Sequence, residues 1–74
     1  MYTVYGKPDC PFCDYARLFL IQNREEYEYI DISEYPEEAQ RLKSQDFKTV
    51  PQIWHNGVHV GGYDDLEVYY GKQA

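Results

Sequence analysis

The stretch Tyr2-Thr3-Val4-Tyr5-Gly6-Lys7-Pro8-Asp9-Cys10-Pro11-Phe12-Cys13 decides the architecture. It changes character in its middle. Tyr2 to Tyr5 is β-branched and aromatic, which favours a strand. Gly6 to Asp9 carries turn residues. From Pro11 to about Asn23 the pattern is helical, with Ala16, Phe19, Leu20 and Asn23 at helical spacing from Phe12. Leu18 and Ile21 widen the apolar arc and predict a well-buried helix. Pro11 suits a first helical position, where its missing N–H has no intrahelical partner.

Downstream, Tyr27 to Ile32 alternates as a strand. Pro36 to about Ser44 forms a short charged helix, capped by Ser33 or Tyr35. Gln45 to Lys48 is a connecting loop. Gln52 to His55 is a third strand, and Asn56-Gly57 after it is a strong hairpin signal, because both residues accept positive φ. Val58 to Gly61 is the fourth strand, broken at Gly61-Gly62. Asp64 to about Tyr70 is a last helix, opened by an acidic capping residue. The order is β-α-β-α-β-β-α. The first crossover requires a right-handed parallel pair, and the hairpin requires an antiparallel one. A mixed four-stranded sheet with helices on both faces satisfies both.

The whole chain has 74 residues, enough for one domain spanning 1–74, with no repeat and no low-complexity segment. A domain so short buries only about 60% of its unfolded surface. Nine Tyr, three Phe and one Trp compensate, since large rings bury much area each. Seven basic against thirteen acidic side chains leave a formal charge of -6. That balance argues against nucleic acid, which selects a basic stripe, and against anionic membranes. It suggests protein partners with basic rims. No apolar run approaches the ~20 residues of a membrane span. Met1 leads into Tyr-Thr-Val-Tyr without a charged or long apolar leader, so the expected compartment is the cytoplasm, where structural disulfides are rare.

Cys10 and Cys13 are the only cysteines. Cys10 falls just before a helix, where unpaired N–H groups and the helix dipole favour negative charge. The thiolate is the nucleophile in thiol–disulfide exchange, and a free thiol with pKa ~8.5 is mostly protonated at neutral pH. Lys7 is the candidate cation for lowering it, while Asp9 and Asp14 oppose the shift. Cys13, one turn inside the helix, lies within disulfide reach of Cys10. Cys10 then attacks a target disulfide and Cys13 releases the product.

Two plainer readings compete. A C-x-x-C can be half a zinc site, and His55 and His59 supply an H-x3-H. A two-residue hairpin loop, however, pairs His55 with Val58 and Trp54 with His59. The two imidazoles then face opposite sides of the sheet. A purely structural disulfide would close a tiny loop and add little stability. A C-x-x-C beside a βαβ pattern is the expected redox signature.

Three blocks make the chain resemble the glutaredoxins, of the thioredoxin-like superfamily. They are Lys7-Pro8-Asp9-Cys10-Pro11-Phe12-Cys13, Thr49-Val50-Pro51-Gln52-Ile53 and Gly61-Gly62-Tyr63-Asp64-Asp65-Leu66. Their order and spacing match over nearly the whole chain, and the resemblance is to the small dithiol type. It implies a thioredoxin-like fold and a glutathione-dependent oxidoreductase acting on protein disulfides and glutathione mixed disulfides. Cys10 would be the nucleophile and Cys13 the resolving thiol. Phe12 stands where the family usually has Tyr; the ring is kept and the hydroxyl lost.

The resemblance also implies a glutathione site. Pro51 would be a cis-proline facing the cysteines. Val50 would offer its backbone to the glutathione cysteine, beside Thr49. The turn at Gly62 would bring the glutamyl group to Tyr63, Asp64 and Asp65, with Asp64 favoured over Asp65 for direct contact. Lys7 would meet the glycyl carboxylate, with Arg41 or Lys48 as a second cation. Each residue also has a plain role. Thr-Val-Pro can be a strand-entry turn, the two Asp can be helix caps, Lys7 can be a solvated lysine, and Tyr63 and Trp54 can simply pack. The other tyrosines are assigned to the core and its rim. No tightly bound cofactor and no metal is expected, and a monomer is.

Two other roles share this family. One is a glutaredoxin-like electron donor to ribonucleotide reductase, recycled by thioredoxin reductase; the short length and abbreviated loops also fit a phage-encoded reductant of that kind. The other is an iron–sulfur cluster carrier. Cys13 argues against the latter, because the group best known for it has Ser there, and Pro11 stiffens the loop after Cys10.

Overall fold

Strand, helix and turn residues assemble in the expected order in a computed structural model that describes residues 1–73. The elements are β1 (Tyr2–Gly6), α1 (Pro11–Gln22), β2 (Tyr27–Asp31), α2 (Pro36–Ser44), β3 (Gln52–His55), β4 (Val58–Gly61) and α3 (Tyr63–Gln73). The sheet runs β2-β1-β3-β4. β1 and β2 are parallel, and β1–β3 and β3–β4 are antiparallel. Asn56 and Gly57 take φ of 51° and 85°. That turn sets the hairpin register, His55 opposite Val58 and Trp54 opposite His59.

Alternation along β1 sorts the two faces. Tyr2 and Val4 point into a core completed by Ala16, Leu20, Ile53 and Leu66. α1 and α3 cover that face, and Phe19 bridges them by edge-on contacts to Tyr63 and Tyr70, with centroids at 6.4 and 5.4 Å. The Tyr70 hydroxyl donates to Glu25 at 3.0 Å, and this bond holds the phenol above its ordinary pKa range. Tyr5 and Trp54 look the other way, edge to face at 5.4 Å. α2 lies over them: Arg41 Nη2 donates to the Tyr5 hydroxyl at 2.9 Å, and Leu42 is buried. Helices therefore occupy both faces.

Several local expectations are corrected. α1 buries only Cys13, Ala16 and Leu20, while Phe12, Leu18 and Ile21 are half exposed. Four short strands and one neighbouring helix cover a single stripe of α1, so the wider apolar arc has nothing to pack against. Tyr15 and Tyr35 are likewise half exposed and lie outside the core. Tyr35 occupies the N-cap of α2 without a side-chain bond. Ser33 instead closes a turn onto Asp31, whose Oδ1 accepts its N–H at 2.9 Å and its hydroxyl at 2.6 Å. α3 starts at Tyr63, and its capping carboxylate belongs to Asp65, which accepts the Gly62 N–H at 3.0 Å. Asp64 does not cap it. Among the described residues, no helix is long and apolar enough to cross a membrane.

Tyr2 makes the core pH-sensitive. Burial, with Glu25 nearby, pushes its phenol from 10.0 up to about 12. Only the neutral phenol suits the core, so this stabilisation is complete below pH 10.0 and is lost as pH rises through about 12. Ionisation is expected to cost roughly 2–3 kcal/mol, at 1.36 kcal/mol per pKa unit. Urea midpoints across this range should fall less steeply in Tyr2→Phe than in the parent. Equal slopes would contradict the assignment.

Candidate functional site

Cys10 is the N-cap of α1, with extended φ −121° and ψ 99°, and its sulfur accepts the Cys13 N–H at 3.1 Å. Pro11 opens the helix behind it. The two cysteines form a disulfide, with Cα atoms 5.2 Å apart. Cys10 keeps 8% of its surface exposed and Cys13 none, so Cys10 is the sulfur that a partner can reach. The helix terminus thus aims an N–H donor at the accessible sulfur, the environment that favours a thiolate there.

The loop before β3 faces this pair. The Val50–Pro51 peptide is cis, and the Val50 carbonyl oxygen lies 3.8 Å from Cys10 Sγ. Gln52, a buried polar side chain, anchors the loop from behind. Its amide N donates to the Thr49 carbonyl at 3.0 Å and contacts Thr49 Oγ1 at 3.2 Å. Its amide oxygen is left to accept from His59 Nε2 at 2.8 Å. Sequence reasoning gave Gln52 no such role, because its partner on β4 emerges only once the hairpin is folded.

Two hollows meet at Thr49 and Val50. The smaller, about 190 Å³, is bounded by Phe12, Thr49, Val50 and Pro51 on one side and by Gly62, Tyr63, Asp64 and Asp65 on the other. Phe12 and Tyr63 stand at its rim with ring centroids 6.2 Å apart. Asp65 is committed to the Gly62 N–H, whereas Asp64 is exposed. The larger, about 790 Å³, runs from Cys10 along the loop to α2 and includes Lys7, Lys43 and Lys48. Of the residues expected to meet glutathione, Lys7 and Lys48 line the larger hollow, Phe12, Pro51, Gly62, Tyr63, Asp64 and Asp65 line the smaller, and Thr49 and Val50 line both.

Arg41 is not among them. It pairs with Glu38 and reaches Tyr5 on the far side of α2. Two residues along a helix is about 200° of rotation, so Lys43 takes the side facing the cysteines. Lys48 lines the hollow and sits 3.5 Å from Asp46, both highly exposed. The signal for Lys43 was its place beside Ala39 and Leu42, the apolar positions of an otherwise polar helix.

The imidazoles separate as expected. His55 stacks on Tyr2 at 4.1 Å and bonds the Tyr69 hydroxyl at 2.7 Å, on the core face. His59 packs against Phe47 and Trp54 on the other face. Among the described residues, no three His, Cys, Asp or Glu side chains converge as a metal site.

Comparison with known proteins agrees with this geometry. The family model "Glutaredoxin" matches residues 2–60. Glutaredoxin 1 of Rickettsia felis is 38% identical over 66 residues, covering 85% of this chain; the chain spans 65% of that relative's length. Among solved structures, the glutaredoxin-like NrdH-redoxin of Escherichia coli superposes with a TM-score of 0.83 at 22% identity, over 93% of this chain and 91% of its own. A buckwheat glutaredoxin–glutathione complex gives 0.81, also at 22%, over 97% and 69%. At that identity, the two structures speak for the fold.

Proposed function

The chain belongs to the glutaredoxin family, and from that premise we propose that it is a glutathione-dependent thiol–disulfide oxidoreductase. The observation that carries this reading is the smaller hollow, which joins the Val50 backbone to the first turn of α3 within reach of Cys10. It offers what glutathione needs. Backbone amides at a helix start favour a carboxylate, and a free Asp64 carboxylate suits an ammonium. Val50 can form a backbone rung with the cysteinyl residue, and Lys7 can meet the glycyl carboxylate.

The chemistry follows from the two exposures. The Cys10 thiolate attacks the glutathione sulfur of a mixed disulfide. A Cys10–glutathione disulfide forms, and the target leaves as a thiolate that takes up a proton. A second glutathione thiolate then attacks the bound glutathione sulfur, giving glutathione disulfide and regenerating Cys10. On a protein disulfide, Cys10 binds one target sulfur and frees the other. Cys13 attacks Cys10 Sγ, releases the target as a dithiol, and leaves the Cys10–Cys13 disulfide. Two glutathione molecules reduce it.

Titration with S-methylglutathione, which cannot exchange, tests the site. Amide resonances of Val50 and Gly62 to Asp65 are expected to shift together, and Asp64→Ala to weaken binding about fivefold, the loss of one charge-assisted bond. Unmoved resonances in this turn would remove glutathione from it. The likeness to the NrdH-redoxin of Escherichia coli, a glutaredoxin-like protein with a thioredoxin-like activity profile, keeps one other reading: recycling by thioredoxin reductase, with ribonucleotide reductase as the protein target. That reading needs no ligand in the smaller hollow.

A further inference from the structure

The larger hollow continues past Lys7, Thr49 and Val50 to the apolar side of α2. Its volume of about 790 Å³ lies toward the upper end of the usual ~300–1,000 Å³ range for ligand pockets. Its floor is apolar, from Ile32, Ala39, Leu42 and Phe47. Its charge is opposite to that of the molecule. Lys7, Lys43 and Lys48 line it and, among the described residues, Asp9 is the only acidic one that does, in a chain of net charge -6. Three of the 7 basic residues thus converge beside the reactive sulfur. Among the described residues the one ion pair these lysines make, Lys48 with Asp46, has side chains 80% and 85% exposed, so it is weak and gives way to a competing carboxylate.

We propose that this groove receives the protein substrate as an extended acidic segment: a large apolar side chain next to the substrate cysteine packs on Leu42 and Phe47, and carboxylates flanking it pair with Lys7, Lys43 and Lys48. The inference rests on Cys10 as the nucleophile. It reverses what net charge alone suggests, because the local surface that meets the substrate is basic.

The test uses reduced protein in excess over short peptides that carry one cysteine activated as its thionitrobenzoate disulfide. Cys10 attacks the peptide sulfur and releases the coloured thionitrobenzoate thiolate, whose low pKa makes it the better leaving group. One peptide has Glu and Leu beside the cysteine, the second Lys and Leu, and neutral dithiodipyridine serves as reference. At 0.15 M salt the Debye length is about 8 Å, so repulsion by the distant acidic surface is screened while contacts in the groove persist.

The Glu peptide is expected to react about fivefold faster than the Lys peptide, as two to three partly exposed ion pairs allow. Lys43→Glu and Lys48→Glu, each normalised to its own dithiodipyridine rate, should each reduce that ratio at least ~twofold. A ratio at or below one, or a ratio unchanged by both variants, overturns the groove assignment while leaving the Cys10 chemistry in place. Failure of dithiodipyridine itself to react removes the nucleophile, and the groove proposal with it. A second-order constant for the Glu peptide alone that falls as protein concentration rises would give the groove to a second copy of the chain, and also overturns the proposal.

Discussion

Replacing Cys10 by serine is expected to lower exchange on every disulfide substrate by at least about three orders of magnitude, because a serine hydroxyl stays protonated where a thiolate is required. Cys13→Ser should behave differently. Cys10 carries the accessible surface of the pair, and Cys13 is fully enclosed. External glutathione can reach a mixed disulfide on Cys10 and does not need Cys13. Cys13→Ser should therefore retain turnover of a small glutathione mixed disulfide within about tenfold of the parent. It should lose most of its turnover on a protein disulfide, where an intramolecular attack with high effective concentration is needed. If both variants are equally inactive on the small substrate, Cys13 takes part in the first step and the division of roles is wrong.

Gly61→Ala is expected to destabilise the protein by roughly 2–4 kcal/mol. Two effects add. Gly61 sits at φ 119°, a conformation that strains any residue with a Cβ, at about 1–3 kcal/mol. The added methyl would also fall on the Asp65 carboxylate, 2.8 Å from its Cγ. That carboxylate accepts the Gly62 N–H at 3.0 Å, and losing such a cap costs roughly 0.5–2 kcal/mol. Asp65→Ala alone loses only the cap. The double variant relieves the clash, so urea unfolding should show it more stable than the sum of the two single changes implies. A cost below about 0.5 kcal/mol for Gly61→Ala would mean that the turn relaxes freely.

The same turn shows what was legible in the sequence. The strand–helix–strand start, the Asn56-Gly57 turn and the hairpin register could all be read, because turn chemistry and alternation are local. The opposite-face placement of His55 and His59 followed from that register. The start of α3 was placed one residue late, because an acidic residue can serve a helix as N-cap or, as Asp65 does, from its third position back onto the preceding N–H. The burial of α1 was overstated, since periodicity says which residues share a face and nothing about how much sheet lies beneath. On α2 the sequence points to Arg41, and Lys43 is the residue that lines the hollow; its place beside Ala39 and Leu42 is the signal, a weak one because two apolar positions are all that set the rotation of this helix. The basic groove was hidden for a related reason: net charge sums over the molecule, and the three lysines come from a loop, a helix and a second loop.

The family resemblance placed the Thr49, Gly62 and Cys10 blocks around one centre, and the hollows lie there. The Gln52 clamp was not read. Its meaning depends on Gln52 of β3 reaching both Thr49 in the preceding loop and His59 on β4, and the second contact is encoded by no local pattern.

The central claim is glutathione coupling through Cys10. Its most direct test is NADPH oxidation with glutathione, glutathione reductase and a small glutathione mixed disulfide, run beside the same protein with thioredoxin reductase. Turnover that needs this protein and glutathione, and that disappears in Cys10→Ser, is the expected result. Reduction by thioredoxin reductase alone, from protein shown to carry two free thiols, would contradict it and return the Gly62-to-Asp65 turn to a purely structural role.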